Sequence, residues 1–365
     1  MIRIGLIVNP IAGMGGAVGL HGTDGSALSQ AHSRGATEVA AKRARRCIDS
    51  LASCPTPYAL MVGPGAMGEA IAIEAGLRGE VIGTVRMPTT AADTQKVARE
   101  MVGREADLIV FAGGDGTAID LVEVVGTATP ILGIPTGVKM HSSVFATSPE
   151  AAGSVLAAFV DGDDVPLVQR EVLDIDDARE LSVFVVATVP YRHRAIQRRK
   201  AASRVGSAHD VDRLCANIAR GIQEDELVVV GPGTTTNRIL DHLGSREVTP
   251  YGVKLIERRI VTNTDASEDE ILSAIARSSR SQLILGVIGG QGFLLGRGNQ
   301  QLSPAVVSAV GEENVTILAS EEKIATLDPP VLFVDAGVDS PAAVLGGYQR
   351  VYTSPRKSRV MKVVE

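Results

Sequence analysis

Residues 108–120 read LIVFAGGDGTAID. An apolar, β-branched run of strand length ends in two glycines, an aspartate, a third glycine and a threonine, and a stretch with helical spacing follows. That order predicts a buried strand, a tight glycine turn and a helix. Glycines let bare backbone N–H groups approach a ligand, and the first amides of a helix have no partners within it, so the junction attracts an anion. Asp115 stands in its centre. A carboxylate there can cap the helix beginning near Thr117, or it can take a proton or bind a metal; the two roles are compatible.

The same rhythm extends outward from this junction. Short β-branched runs at Ile2–Val8, Tyr58–Val62, Glu80–Thr84 and Ile131–Gly133 alternate with helical stretches at Thr37–Ala52, Ala66–Ala75, Thr90–Val102, Thr117–Val125 and Pro149–Val160. Alternation of this kind predicts a parallel sheet covered by helices, so the first part reads as a Rossmann-like α/β domain. The acidic, proline-containing stretch 161–177 breaks the rhythm, and the division is placed between residues 1–163 and 164–365. Beyond it lie strand-like runs at Val168–Ile175, Leu181–Val189, Glu226–Val230, Gly252–Ile256, Leu283–Ile288, Val315–Leu318 and Pro330–Val334, with helices near Ser207–Arg220, Thr235–Leu243, Ser267–Ser278 and Pro304–Val310. The second part is therefore a mixed, β-rich domain.

Composition narrows the function. At 365 residues the chain is long enough for two cores, and its 45% apolar and 21% charged residues are globular values. Net charge is −6, there is no tryptophan, and no basic stripe carries interleaved aromatics, which argues against nucleic acid as a partner. No apolar run approaches the length needed to span a bilayer, so no membrane partner is expected. The apolar start IRIGLIVNP is cut short by Asn9 and Pro10 and reads as a first strand, not a signal peptide. Three cysteines without a C-x-x-C pair indicate neither a disulfide framework nor a zinc site, and a cytoplasmic location is the expectation.

Four further glycine loops follow expected strands: NPIAGMGG (9–16), GIPTGVKMHS (133–142), GPGTTTN (231–237) and GGQGF (289–293). Neither G-x-x-x-x-G-K-[ST] nor G-x-G-x-x-G follows a strand, so a less common phosphate loop is called for. Asn9 can contact a nucleotide phosphate, brace the GGDGT turn, or simply make an Asn-Pro turn. Gly13, Gly15 and Gly16 offer backbone amides beside it. Lys139 can act as a point charge on a phosphate and His141 as a donor to one, against a solvated lysine and a histidine satisfied by local backbone. Asp24 in GLHGTDG is a turn residue, or a ligand for Mg²⁺ or a ribose hydroxyl.

Later in the chain, Gly231, Gly233, Thr234, Thr235, Gly290, Gln291, Gly292, Arg297 and Asn299 are candidate substrate contacts. Their alternative is structural: GGQGF as a strand-bending hairpin, then Ser303 as a helix cap with Pro304 in the first turn. The basic cluster YRHRAIQRRK (191–200) is a solvated loop, or places Arg192, Arg194 or Lys200 on phosphates.

GGDGT between strand and helix resembles the signature of the NAD kinase/diacylglycerol kinase superfamily. NPIAGMGGAVGLHGTDG, IPTGVKMHSSVFATSPEAAG, GPGTTTN, GGQGFLLGRGNQQLSP and GYQRV, in that order, are similar to its ATP-NAD kinase-like branch, which contains predicted ATP- or polyphosphate-dependent NAD kinases and relatives of acetoin-catabolism protein X. The resemblance spans nearly the whole chain. It implies an NAD kinase-like two-domain fold and a phosphotransferase using ATP and Mg²⁺, with NAD as the substrate. Asp115 would accept the proton of the adenosine-ribose 2′-hydroxyl, while Gly113, Gly114, Gly116 and Thr117 would hold phosphates. It also implies a homodimer or homotetramer. The chain departs from the branch in one place near the turn, where Ile119 precedes Asp120 and relatives tend to carry an arginine. The Asn-Glu pair by which standard NAD kinases read adenine and ribose is not evident either. The competing expectations are a different small hydroxyl acceptor, or a nucleotide-binding protein of acetoin-catabolism protein X type without turnover.

Overall fold

The computed structural model describes residues 1–15, 33, 39–137, 140–175, 181–192, 195–196, 208–245, 249–288, 291–335 and 345–364. The chain divides into two compact units: residues 1–14, 23–28 and 37–199 form the first, and 15–22, 29–36 and 200–365 the second.

In the first unit β1 (Ile2–Val8), β2 (Tyr58–Val62), β3 (Glu80–Val81), β4 (Leu108–Gly113) and β5 (Ile131–Pro135) make one sheet in the order β3-β2-β1-β4-β5. Every pair is parallel. All of β4 is buried, as is β1 from Ile4 onward, which is why both read as unbroken apolar runs. Five helices cover the sheet: α1 (Ala40–Ala52), α2 (Glu69–Glu74), α3 (Ala91–Gly103), α4 (Asp115–Val125) and α5 (Pro149–Asp161). Helix α1 buries Ala40, Ala44, Cys47, Ile48 and Leu51, the three- and four-residue spacing of one helical face, and packs on α5. The start of α5 is fixed by Ser148, whose Oγ accepts from Ala151 N at 3.1 Å, and by Pro149 in the first turn; its end is Gly162 in the left-handed region at φ 73°.

The antiparallel pair β6 (Leu167–Ile175) and β7 (Leu181–Pro190) goes with the first unit, although the sequence places it after the division. Backbone and hydroxyl bonds hold it there: Leu173 N donates to Ser142 Oγ (2.9 Å), Ser143 N to Glu171 O (3.0 Å) and Thr188 Oγ1 to Thr127 O (2.7 Å).

The second unit has a nine-stranded mixed sheet in the order β10-β9-β8-β11-β13-β15-β16-β14-β12. Its strands are β8 (Glu226–Val230), β9 (Lys254–Glu257), β10 (Ile260–Asn263), β11 (Arg280–Gly286), β12 (Phe293–Leu295), β13 (Val315–Leu318), β14 (Val331–Val334), β15 (Gly347–Ser354) and β16 (Lys357–Val364). At its centre β8, β11, β13 and β15 run parallel. Its helices are α6 (Ala208–Gly221), α7 (Asn237–His242), α8 (Glu268–Arg277), α9 (Pro304–Val310) and α10 (Glu321–Ala325).

The alternation of β8 sorts its side chains between two cores: Leu227 and Val229 join Ile271, Val306 and Val307 of α8 and α9, while Val228 and Val230 join Leu214, Cys215 and Ile239 of α6 and α7. Ser303 does cap α9, with its Oγ 3.3 Å from Val306 N and Pro304 in the first turn. Strands β10, β12, β15 and β16 and helix α10 were not expected from the sequence. Among the described residues no helix is long and apolar enough to cross a membrane. The three cysteines are free, and burial pushes the Cys215 thiol up to about 12.

Candidate functional site

The strand order of the first unit has one reversal point. From β1 the chain runs outward to β2 and β3, and on the other side of β1 it runs from β4 to β5, so the crevice for a ligand opens at the carboxyl ends of β1 and β4. Asn9 follows β1 and the GGDGT turn follows β4. The two are tied together: Asn9 N donates to Ala112 O (2.9 Å) and Asn9 Nδ2 to Thr117 Oγ1 (3.1 Å), while Asn9 Oδ1 accepts from Ile11 N (3.3 Å). These bonds both brace the GGDGT turn and close the local Asn-Pro turn.

Helix α4 begins at Asp115 itself, two residues earlier than the sequence suggests, with Gly114 in extended conformation before it. Asp115 is 5% exposed, and both carboxylate oxygens are engaged: Oδ2 accepts from His141 N at 2.7 Å and Oδ1 from Ser142 N at 3.0 Å. Two backbone amides arriving from a segment 26 and 27 residues away fix the carboxylate in orientation. They also make Asp115 the anchor of that segment. His141 enters through its backbone; Ser142 then continues the chain of contacts to Leu173.

The glycines of the turn differ in what they permit. A Cβ on Gly113 would stand 2.5 Å from Thr117 Cβ, so packing inside the unit demands glycine there. Gly13 is in the left-handed region at φ 82°, and a Cβ on it would lie 2.5 Å from Thr136 O. Thr136 in turn donates to Gly113 O at 2.9 Å, so the loops after β1, β4 and β5 lock one another. Gly116 is exposed, and a Cβ there would meet nothing within 4 Å. It lies in the first turn of α4, where backbone amides lack partners within the helix and can receive a phosphate. Gly15 is buried at the end of the turn after β1. Gly16, Asp24, Lys139, Arg194 and Lys200 lie outside the described residues, as does Gly290.

In the second unit the GPGTTTN loop leaves β8 with its three threonines facing different ways. Thr234 is exposed; Thr235 Oγ1 accepts from Lys323 Nζ at 2.8 Å; Thr236 Oγ1 turns inward to Gly231 O at 2.7 Å and Gly233 O at 3.1 Å. Gln291 is buried, and Gly292 bonds through its backbone to Ile288 and Phe333. Arg297 donates to Asp335 Oδ2 at 2.6 Å with its guanidinium 4.2 Å above the Phe293 ring, and Asn299 joins Gly296 N (2.8 Å) to Leu294 O (2.8 Å). Arg297 Nη1 and Asn299 Nδ2 are thus engaged inside the unit. Lys323 and Lys254 carry no motif, and the sequence does not single them out.

Lys254, opposite Val230 on β9, is 1% exposed and donates to Tyr251 O (2.6 Å) and Gly252 O (2.9 Å), fixing the turn whose Pro250 O accepts from Gly233 N at 2.7 Å. Burial pulls its pKa down from 10.5 to about 8, and Asp265 opposes that pull. Below pH 8 the ammonium is charged in both states and the folded state bears its desolvation. Between about 8 and 10.5 the folded lysine is neutral while the unfolded one keeps its proton, so stability rises with pH across this window. Urea denaturation at pH 7.5 and pH 10 is expected to show the wild type gaining stability relative to Lys254→Met. A constant difference between the two proteins would refute the assignment.

A cavity of about 340 Å³ in the second unit is bordered by Leu255, Glu257, Thr262, Asn263, Asp269 and Arg277. Its acidic walls do not suit phosphate. Among the described residues no cluster of histidine, cysteine and carboxylate side chains could hold a metal ion.

No curated protein matches the chain. Residues 4–165, which contain the β1–β4 crevice, match the ATP-NAD kinase N-terminal domain, and residues 225–363, which contain the nine-stranded sheet, match the ATP-NAD kinase C-terminal domain. With the two matches covering nearly its whole length, the chain belongs to the ATP-NAD kinase family.

Proposed function

We propose that the protein transfers the γ-phosphoryl group of ATP to the 2′-hydroxyl of NAD, giving NADP and ADP. The observation that supports it most is the Asp115 carboxylate, oriented by two amides at the reversal point of the sheet and next to the exposed Gly116 in the first turn of α4. Phosphoryl transfer asks a protein chiefly to position reactants and neutralise charge. In this reading the N-terminal amides of α4 hold phosphate oxygens and Mg²⁺ on the nucleotide neutralises their charge. The hydroxyl proton passes to Asp115 as the oxygen bonds to phosphorus and ADP leaves. By its family, the protein would work as a homo-oligomer in the cytoplasm.

Ile119 supports a second reading. It packs against the core of the first unit where relatives tend to offer an arginine, which removes one cation from the phosphate side. That reading is a nucleotide-binding protein of acetoin-catabolism protein X type, with another small hydroxyl acceptor or none. Incubation with ATP, Mg²⁺ and NAD, followed by chromatography for NADP and ADP, is expected to yield both in equal amounts. ADP formed only when another alcohol is supplied would move the acceptor away from NAD. Nucleotide binding without any ADP would favour the second reading.

A further inference from the structure

We propose that the second unit carries an oxyanion-binding crevice of its own, at the carboxyl ends of β8, β11 and β13, with Lys323 as its cation. Three neighbouring parallel strands end together there, and their ends are registered: β11 pairs with β8 through Ile284↔Val230 and with β13 through Gly286↔Leu318. The GPGTTTN loop leaves the first strand, residues 287–288 the second, and Ala319–Ser320 the third. Strand ends of parallel sheets are where α/β proteins bind ligands, because loops there can vary while the strands hold them in place.

Lys323 spans this edge. Its backbone is set by Ser320, whose Oγ accepts from Lys323 N at 3.2 Å, and its ammonium crosses the end of β11 to reach Thr235 Oγ1 (2.8 Å) and Val287 O (3.5 Å). One neighbouring carboxylate, that of Glu321, is drawn elsewhere. Glu321 accepts from Thr353 Oγ1 (2.8 Å) and Arg359 Nε (3.2 Å), which hold its pKa below the usual range.

A half-buried ammonium is thus delivered to a threonine-rich glycine loop, in which the exposed Thr234 offers a second hydroxyl. Thr236 is excluded from that role because its hydroxyl closes the turn. A lysine point charge and a hydroxyl suit a phosphate oxyanion, which can replace Thr235 as the partner of the ammonium while keeping its charge compensated. The inference rests on the phosphotransferase reading for the identity of the nucleotide, not for the oxyanion. The phosphate can come from ATP or from NAD, and the experiment separates the two.

Equilibrium binding of inorganic pyrophosphate, ATP and NAD to the full chain tests it by calorimetry, with Lys323→Ala and Lys323→Gln beside the wild type. Glutamine keeps a donor for Thr235 but removes the charge. The expected result is that both variants bind pyrophosphate and one of the two nucleotides about 10- to 100-fold more weakly, the loss of one charge-assisted hydrogen bond. Which nucleotide is affected names the source. Wild-type affinity for all three probes in Lys323→Gln would overturn the proposal and leave Lys323 as a tether between loops. So would a wild type that binds none of them. Should Lys323→Ala fail to fold, Lys323→Gln alone decides. A chain that binds the probes through Lys323 yet forms no NADP would fail the phosphotransferase reading and keep this one.

Discussion

Asp115→Asn is expected to slow NADP formation from ATP and NAD by about 10²–10⁴-fold, the usual reach of a positioned general base. The substitution is not silent for the fold. Both oxygens of Asp115 accept backbone amides, from His141 and Ser142, and an asparagine has only one acceptor to offer. One amide of the 141–142 segment must then face an NH₂ group, at a price of about 1–3 kcal/mol for a buried donor left unmet. Loss of activity by itself therefore proves little, and the split of the kinetic constants decides. A proton acceptor predicts that kcat falls while KM for ATP changes by less than about 10-fold, because the phosphate-binding amides of α4 are retained. A purely structural Asp115 predicts that activity, nucleotide affinity and melting temperature fall together. Recovery of wild-type kcat at a temperature well below melting would exclude the catalytic role.

The division of labour around Asp115 explains how much of the site was legible. LIVFAGGDGTAID announces a strand, a turn and a helix because the signals are contiguous: β-branched residues, then glycines, then helical spacing. The predicted parallel sheet in the first unit follows from the same local rhythm. What holds Asp115 was not legible, since its partners are backbone amides 26 and 27 residues away, and any residue type can supply an amide. Likewise Asn9 and Thr117 are 108 residues apart, and nothing local marks their bond.

In the second unit the hairpin of β15 and β16 escaped for a different reason. Its outward face carries Tyr348, Arg350, Val360 and Lys362, all exposed, so its inward residues Val351, Met361 and Val363 are diluted by charge and the alternation does not read as a core strand. Lys323 sits in SEEKIA, which has the composition of a solvated helix; only the convergence of three strand ends brings it to Thr235.

Arg297→Ala is expected to destabilise the second unit by about 3–5 kcal/mol, seen as a drop in melting temperature of roughly 10 °C. In the sequence Arg297 stands between two glycines and looks like a donor held out to a ligand. Its side chain is instead 2% exposed, bonded at 2.6 Å to an Asp335 carboxylate that is 6% exposed, and stacked on Phe293. Removing the guanidinium takes a close cation from a buried carboxylate, and that loss of compensation, more than the lost pair, sets the size of the effect. Two further variants separate the terms. Arg297→Lys keeps the charge but loses the planar stack and fork, and should lie between wild type and alanine. Arg297→Met combined with Asp335→Leu removes both charges together and should recover most of the stability, because a buried ion pair and an apolar pair of similar volume differ little. A substrate-reading Arg297 predicts the opposite pattern: Arg297→Ala would melt like the wild type and raise KM for one nucleotide, and the double variant would share that KM defect. The coupling between the two positions, measured as the non-additivity of the single and double variants, is then the quantity that distinguishes a strut of the fold from a contact to the ligand.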